Sequence, residues 1–356
     1  MAATKVLLSK GYFSYTRRKL RIIAGLIALT VIVGLYAVSA GSAELSLAQV
    51  LAALLGRVEG NAGIIVWQIR LPRVLAAMVA GVGLAVAGTV MQNILRNPLA
   101  SPSTLGIAQG AAFGAAVAIV ALGAGSIQST SADAVLINNP YLVTLSAFVA
   151  SMLTTMVILL LAKYKGVSPE AIVLAGVALS SLFGAATMIL QYFASDVQVA
   201  SVVFWTFGDL GRASWTELGI MAGVVLLTLS YFLFNRWNYN ALDSGEETAK
   251  GLGVEVEKTR FLGMLFSSLI TATTVSFLGV IGFIGLVAPH MMRRVLGGDH
   301  RFLIPASSVM GALLLLAADT LARRIIAPVV LPVGAVTSFL GAPLFLYLLA
   351  RGNKRG

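Results

Sequence analysis

Ten runs of about 20 predominantly apolar residues limit what this chain can fold into more than any other feature. A membrane-spanning strand would show alternating segments of about ten residues, and these runs are continuously apolar, which excludes a barrel. A helix of about 20 such residues crosses a bilayer, so the sequence predicts an all-α polytopic membrane protein with about ten transmembrane helices. The approximate limits of the runs are 22–40, 74–95, 103–124, 141–162, 171–193, 216–234, 261–278, 279–296, 303–321 and 333–350.

The composition supports a membrane protein and excludes several kinds of site. Hydrophobic residues make up 58% of the chain and charged residues 11%, against roughly 45–50% and 25% in soluble proteins. The chain has no cysteine, which excludes disulfides and thiolate metal sites. With only His290 and His300 as histidines, we predict no metal site and no cofactor in this chain.

The basic residues predict the orientation of the helices. With the N-terminus in the cytoplasm, most lysines and arginines fall on the cytoplasmic side, as the positive-inside rule requires. Both termini are then cytoplasmic and the number of spans is even. The net charge of +11 is spread over these loops without a basic domain, so we predict no nucleic-acid binding.

The spans form one transmembrane domain, residues 22–350, between a basic cytoplasmic N-tail, 1–21, and a short cytoplasmic C-tail, 351–356. The sequence Ala-Val-Ser-Ala at 37–40 resembles a signal-peptide cleavage site. The preceding apolar run is longer than a signal peptide requires, which favours an anchored first span. Residues 195–212 are apolar but short, which predicts a re-entrant or interfacial helix.

The seventh and eighth spans are continuous in hydropathy from Phe261 to Leu296, which is too long for one helix. Three glycines within this run, Gly279, Gly282 and Gly285, predict a break between the two spans.

Several catalytic and energy-coupling motifs are absent. The segment from Gly253 to Lys258 resembles the end of a phosphate-binding loop, but Glu257 stands where that loop requires glycine. No zinc-protease or serine-hydrolase motif occurs, so no enzymatic activity is predicted. Ion-coupled carriers bury ionisable groups near the membrane midplane, and only Asp319, near the outer end of a span, approaches this. The sequence therefore predicts that this protein takes its energy from a source other than an ion gradient.

The cytoplasmic stretch 236–260 is the most charged part of the chain. Asp243 or Ser244 can cap a helix that has Glu246 and Glu247 in its first turn. Two short helices there are either a solvated loop or a docking surface for a cytoplasmic partner, and the residues alone leave both open.

Three local motifs stand out. Arg70-Leu-Pro-Arg73 lies at the outer end of the second span, where the arginines either extend to lipid headgroups or meet an acidic partner, joined by Arg323 if the two regions meet. The segment 96–102 contains Asn-Pro and Ser-Pro, which favour a tight turn. The segment 282–290 combines glycines with Pro289 and His290, and alone it indicates only an interfacial histidine.

Together with other segments, these motifs resemble the permeases of type II ABC importers, the FecCD-type family that carries iron-siderophores, haem and cobalamin. The resemblance covers residues 65–350 and includes ten spans. Its motifs occur in the family's order: RLPR, QNILRNPLASP, VLAGVAL, FW..GDLG, GFIGLVAPH..R and LPVGAVTSFLGAPLF.

The resemblance implies a prokaryotic inner-membrane protein, surrounded by lipid, that assembles with other subunits. These are a second copy of the chain, two ATP-binding subunits on the cytoplasmic side, and an external substrate-binding protein. ATP and magnesium then bind to the partner ATPase.

The resemblance also implies site residues. The family's coupling helices match residues 241–255, and we assign coupling to six of them: Ser244, Gly245, Glu246, Glu247, Ala249 and Leu252. The family's outer arginines match Arg70, Arg73 and Arg323. The residues implied for the cytoplasmic gate are Asn97, Leu99, Ala194, Ser195 and Asp196.

One departure bears on the cargo. Many relatives, haem permeases among them, have an arginine shortly after the second gate, where this chain has Gln198-Val199-Ala200. Because an apolar site does not pair haem propionates, the sequence favours a ferric siderophore or similar iron chelate over haem. Cobalamin is the second alternative, although Asp196 departs from the cobalamin branch. An ion-coupled secondary transporter is the alternative of another class.

Overall fold

The computed structural model describes residues 2–41, 45–57, 60–124, 139–165 and 168–352, and within these ranges the chain is almost entirely helical. Residue 1 of the predicted N-tail and residues 353–356 of the predicted C-tail lie outside them. The α-helices are α1 (Ala2–Ser39), α2 (Leu47–Leu54), α3 (Asn61–Ile64), α4 (Leu71–Ile94), α5 (Ile107–Ala116), α6 (Pro140–Lys165), α7 (Pro169–Tyr192), α8 (Asp196–Thr206), α9 (Trp215–Phe234), α10 (Arg236–Asp243), α11 (Glu246–Gly251), α12 (Val256–Leu278), α13 (Ile284–Leu296), α14 (His300–Arg324) and α15 (Val333–Gly352).

Each of the ten apolar runs contains a helix, which confirms the all-α membrane fold, although the count of ten spans is approximate. Seven helices in the described ranges are long and apolar enough to cross a membrane. Two others, Ile107–Ala121 and Val333–Tyr347, are shorter. Helix α13 has 13 residues, about 20 Å, and does not reach across the hydrocarbon core alone.

The predicted break between the seventh and eighth spans is confirmed at residues 279–283. Helix α12 ends before Gly279, which has φ +78°, and α13 begins after Phe283, which has φ +66°. Glycine adopts such a left-handed conformation without steric cost, whereas phenylalanine does so only under constraint. The carbonyl of Leu278, freed at the break, accepts a hydrogen bond from the backbone N–H of Asp209 at 2.8 Å.

Helix α4 is the central helix of the bundle and packs against α9, α12, α13 and α14. Small residues let its neighbours approach closely, as is typical of membrane helices. A Cβ atom at Gly81 would lie 2.3 Å from the carbonyl oxygen of Gly311 on α14, and one at Gly88 would lie 1.8 Å from that of Gly285 on α13. Backbone contact at both points fixes α13 and α14 against α4.

The two ends of the bundle differ in charge. The end that carries Arg96, Arg260, Arg293 and Arg294 is cytoplasmic by the positive-inside rule, and the opposite end is external. Helix α1 begins at Ala2, so residues 2–21 of the predicted N-tail continue the first span as helix. Helix α8, with 11 residues, occupies the region predicted to be re-entrant or interfacial.

Candidate functional site

Helices α10 and α11 lie side by side at the cytoplasmic end, within the region predicted to couple to a partner. Helix α10 is fixed to the central helix α4 through the buried side chain of Asn93. Its amide nitrogen donates to the carbonyl of Tyr239 at 3.0 Å and to the carboxylate of Asp243 at 2.6 Å. The ring of Tyr239 is fully buried and packs on Phe232 of α9. A displacement of α10 is therefore transmitted to α4 and α9.

A second attachment joins α10 to the start of α14. The side-chain carbonyl of Asn240 accepts from the backbone N–H of His300 at 2.8 Å, and its amide donates to Asp299 at 3.1 Å. Burial raises the pKa of Asp299, but hydrogen bonds from Arg301 and Asn240 outweigh burial and lower this pKa to about 2. Asp299 is therefore an ionised anchor at every physiological pH.

Helix α11 is attached through Arg260 on α12. The guanidinium of Arg260 forms an ion pair with Glu246 and donates to the carbonyl of Ile94 at 3.2 Å. The hydrogen bond from Arg260 lowers the pKa of Glu246. Ala249 of α11 is fully buried, so its side chain faces the bundle and helps to seat the helix, and its coupling role stays a prediction.

The outward surface of the pair is formed by three of the predicted coupling residues. The side chain of Glu247 is 94% exposed, Leu252 is 69% exposed, and Ser244 is also exposed. Gly245, with φ +114°, makes the turn between the helices and precedes α11 without a side-chain cap. The expectation that Asp243 or Ser244 caps α11 is wrong, because Asp243 faces Asn93 instead.

Of the predicted gate residues, Asn97 and Leu99 lie beside helices α10 and α11. The side-chain oxygen of Asn97 accepts from the backbone N–H of Leu99 at 2.9 Å, which closes the tight turn expected from Asn-Pro. Pro98 and Leu242 of α10 line one open cavity, so the turn adjoins the coupling helices.

The other predicted gate residues lie at the opposite end of the bundle. Ser195 caps α8 by accepting from the backbone N–H of Gln198, and Gln198 reaches the carbonyls of Ile119 and Val120 at 3.5 Å. Ile119 and Val120 lie at the far end of the helix Ile107–Ala121, which starts next to the turn at 97–99. About 20 Å therefore separates the two sets of predicted gate residues. The assignment of Ala194, Ser195 and Asp196 to a cytoplasmic gate is therefore wrong.

The predicted docking arginines meet at the external end, where Arg70, Arg73 and Arg323 line an open cavity of about 350 Å³. Two of them turn inward to the end of α1. Arg70 donates to the carbonyls of Val38 and Ser39 at 2.9 and 2.8 Å, and Arg323 donates to those of Ala37 and Ala40. The last carbonyls of a helix have no partner within it and carry partial negative charge, which these guanidinium groups satisfy.

Asp319 on α14 completes this external cluster. Its fully buried carboxylate accepts from Arg73 at 2.8 and 2.9 Å and from Arg323 at 3.0 Å. Arg73 also lies 3.4 Å from the half-exposed carboxylate of Asp209. The buried acid is thus paired with two arginines, and the cluster ties α1, α4 and α14 together.

Sequence reasoning missed the side chains that hold the coupling helices. Asn93 was part of a recognised motif, and a polar residue in the last turn of an apolar run was a usable signal. The pairing of Asn240 with His300 joins positions 60 residues apart and left no local pattern. No group of three or more potential metal ligands occurs in the described ranges.

Comparisons with known proteins identify the family to which this sequence is similar. The pattern of the FecCD transport family matches residues 29–351. A protein of Methanocaldococcus jannaschii, assigned by name to the ABC transporter permeases, is 56% identical over 97% of this chain and 98% of its own length. The hemin transport permease of Yersinia pestis is 40% identical over 82% of this chain and 84% of its own length. An Fe(3+)-citrate import permease of Bacillus subtilis is 33% identical over 94% of this chain and 96% of its own length.

A solved structure shows the same fold. It is an inward-facing conformation of a transporter assigned to the metal-chelate type of ABC transporters. It superposes with a TM-score of 0.79 at 31% identity, over 93% of this chain and 99% of that one.

Proposed function

This chain belongs to the FecCD transport family and is a permease of an ABC importer, and on that premise we propose that it carries a ferric siderophore or similar iron chelate. In the proposed assembly, two copies of the chain form the path across a prokaryotic inner membrane. A separate ATPase drives them from the cytoplasmic side. An external binding protein delivers the chelate.

The attachment of α10 and α11 is the observation that carries the proposal of an ATP-driven permease. The pair offers Glu247 and Leu252 outward while Asn93 and Arg260 hold it to the bundle. A solvated loop needs none of these buried attachments. When the ATPase subunits approach each other on binding ATP, a pair attached in this way passes their movement to α4 and α12.

The cargo proposal depends on the lack of cationic side chains on α8. The sequence of this helix, Asp196–Thr206, contains no lysine or arginine. The next arginine, Arg212, donates to the backbone carbonyls of Phe204 and Trp205 at 2.8 and 3.2 Å. Haem brings two propionates that need cationic partners, so this region suits a chelate whose charge is already balanced by iron.

The proposed second copy and surrounding lipid suit the apolar outer faces of the helices. Helix α7 buries only Ile172 and Gly176 within the chain and leaves Leu174, Leu182 and Met188 exposed. An apolar face of this kind packs against lipid or another apolar helix.

We assign external docking to the arginines that are exposed at the external end of the bundle, Arg57 and Arg324.

The contacts of Asp319 argue against the alternative of an ion-coupled carrier. Such a carrier needs a buried carboxylate that binds and releases an ion. Asp319, the acid that came nearest to this in the sequence, is paired with Arg73 and Arg323. Protonation of Asp319 would remove the buried counter-ion of both arginines and leave Arg73 with only the half-exposed Asp209.

The cargo is tested by ATP hydrolysis in liposomes that contain the chain and its ATPase. Binding protein loaded with a ferric siderophore is expected to stimulate hydrolysis, and the same protein without iron is the control. Stimulation only by cobalamin-loaded or haem-loaded binding protein would overturn the iron proposal and leave the importer intact.

A further inference from the structure

Arg293, near the cytoplasmic end of α13, has donor atoms without a hydrogen-bond partner in the described part of the chain. Its Nε and Nη2 atoms are both buried and have no hydrogen-bond partner among the described residues. Buried donors without a partner are rare in native proteins, and leaving a charged donor unpaired is costly. These two atoms are therefore donors that a ligand could satisfy.

Arg293 lines an open cavity of about 480 Å³ on the cytoplasmic face. The cavity is bounded by the end of α4, the link between α10 and α11, and α13. The polar side chains that line it are those of Gln92, Arg96, Asp243, Ser244 and Arg293, and Gly245 lines it as well. Because Ser244 and Gly245 belong to the predicted coupling surface, a partner that covers this surface also covers the cavity.

The charges of the lining favour an anion. Arg96 and Arg293 contribute two positive charges, and Asp243 contributes one negative charge. The Asp243 carboxylate accepts from the Asn93 amide at 2.6 Å and lies 3.4 Å from the His300 ring nitrogen. Burial raises the pKa of Asp243, and the nearby charges of Arg293 and Arg96 oppose that rise. Arg96 is exposed, and its φ of +46° shows that the turn after α4 holds its backbone in an uncommon conformation. One net positive charge and two donor atoms of Arg293 without a hydrogen-bond partner among the described residues remain for a ligand.

We propose that this cavity receives a carboxylate side chain of the ATPase subunit, held between Arg96 and Arg293. The planar donor array of arginine fits a carboxylate with two parallel hydrogen bonds. The inference rests on the proposed function, because it needs an ATPase on the coupling surface. It adds an attachment at α13, separate from Glu247 on α11 and from Leu252, which directly follows that helix. Contact at Arg293 would couple the ATPase to α13, whose other end is the break at 279–283.

Zero-length cross-linking in the assembled complex tests the proposal directly. Carbodiimide joins a lysine amine to a carboxylate only when the two are in contact. Arg96→Lys and Arg293→Lys each place an amine at the cavity, and Arg236→Lys, at the start of α10, is the matched control. We expect mass spectrometry to find a bond from position 96 or 293 to an Asp or Glu of the ATPase, and none from position 236.

The result that overturns the proposal is an intact complex in which positions 96 and 293 cross-link only to Asp243 of the same chain, or not at all. If the unchanged chain forms no complex with the ATPase, the proposed function fails first, so the two failures are distinguishable.

A binding measurement gives an independent readout. Arg293→Gln is expected to weaken ATPase binding about tenfold without lowering the thermal stability of the chain, because it removes donor atoms that have no hydrogen-bond partner among the described residues. Lys258→Gln, at an exposed cytoplasmic lysine, is the control and is expected to leave affinity unchanged. Affinity unchanged in Arg293→Gln as well would refute the proposal.

Discussion

The external and cytoplasmic ends of this bundle both gather arginines, but they use them differently. At the external end, Arg70 and Arg323 donate to the last carbonyls of α1, and Arg73 and Arg323 share Asp319. At the cytoplasmic end, Arg260 is paired with Glu246, whereas Arg293 has two buried donor atoms without a hydrogen-bond partner in the ranges that the structure describes. A satisfied cluster holds helices together, and an unsatisfied one is complete only with a partner. Clustered arginines in a sequence therefore do not distinguish docking from fold stability.

The largest expected effect is the loss of stability when Asp319, the buried acid of the external cluster, is replaced. Asp319→Asn removes the charge that balances Arg73 and Arg323, and a broken buried ion pair costs about 3–5 kcal/mol. We expect a marked loss of thermal stability of the purified protein in detergent. Asp209→Asn is the control, since its half-exposed carboxylate lies 3.4 Å from Arg73, and it should cost less than about 1 kcal/mol. Equal stability of the two variants would show that the external cluster does not hold the fold.

The next effect tests the attachment of α10. Asn93→Leu leaves the Tyr239 carbonyl and the Asp243 carboxylate without their donor, a loss of about 1–3 kcal/mol. We expect transport per ATP hydrolysed to fall while hydrolysis continues, because α10 no longer moves α4. Asn238→Leu is the matched control, since the amide of Asn238 donates only to Asn235 at 2.9 Å. Normal coupling in Asn93→Leu would contradict the attachment.

A smaller effect, on the affinity for the ATPase, distinguishes the two glutamates of α11. Glu247→Lys reverses an exposed charge, so we expect affinity for the ATPase to fall about tenfold, or 1.4 kcal/mol, with unchanged stability of the isolated chain. Glu246→Lys faces Arg260 with a like charge and should lower that stability as well. The measurements are binding to immobilised ATPase and thermal unfolding of the chain alone. A destabilised Glu247→Lys variant would show that Glu247 is not a free surface residue.

The smallest effect concerns external docking. Arg324→Glu changes an exposed arginine, so binding-protein affinity should fall by about 0.2–1 kcal/mol at low salt and recover as salt screens the charge. Arg70→Glu should instead destabilise the end of α1. If Arg70→Glu weakened docking with unchanged thermal stability, Arg70 would be a docking residue as the sequence suggested.

The sequence predicted the fold well because its signals are local. Apolar runs of span length and the glycines near 279 mark helices and a break without reference to distant residues. The charge pairings could not be predicted in the same way. Arg73 meets Asp319 across 246 residues, so no spacing rule connects them. Ala249 lies in a charged, apparently solvated segment, and only the packing of α11 on the bundle shows that it is buried.

Transport assays in liposomes test the central claim, that this permease is driven by an ATPase through α10 and α11. The measurement is uptake of a radiolabelled iron chelate with the chain, the ATPase and the loaded binding protein, with and without ATP, and with an uncoupler. The account predicts uptake that requires ATP and both partners and is unaffected by the uncoupler. Uptake by the chain alone that collapses with the uncoupler would contradict it.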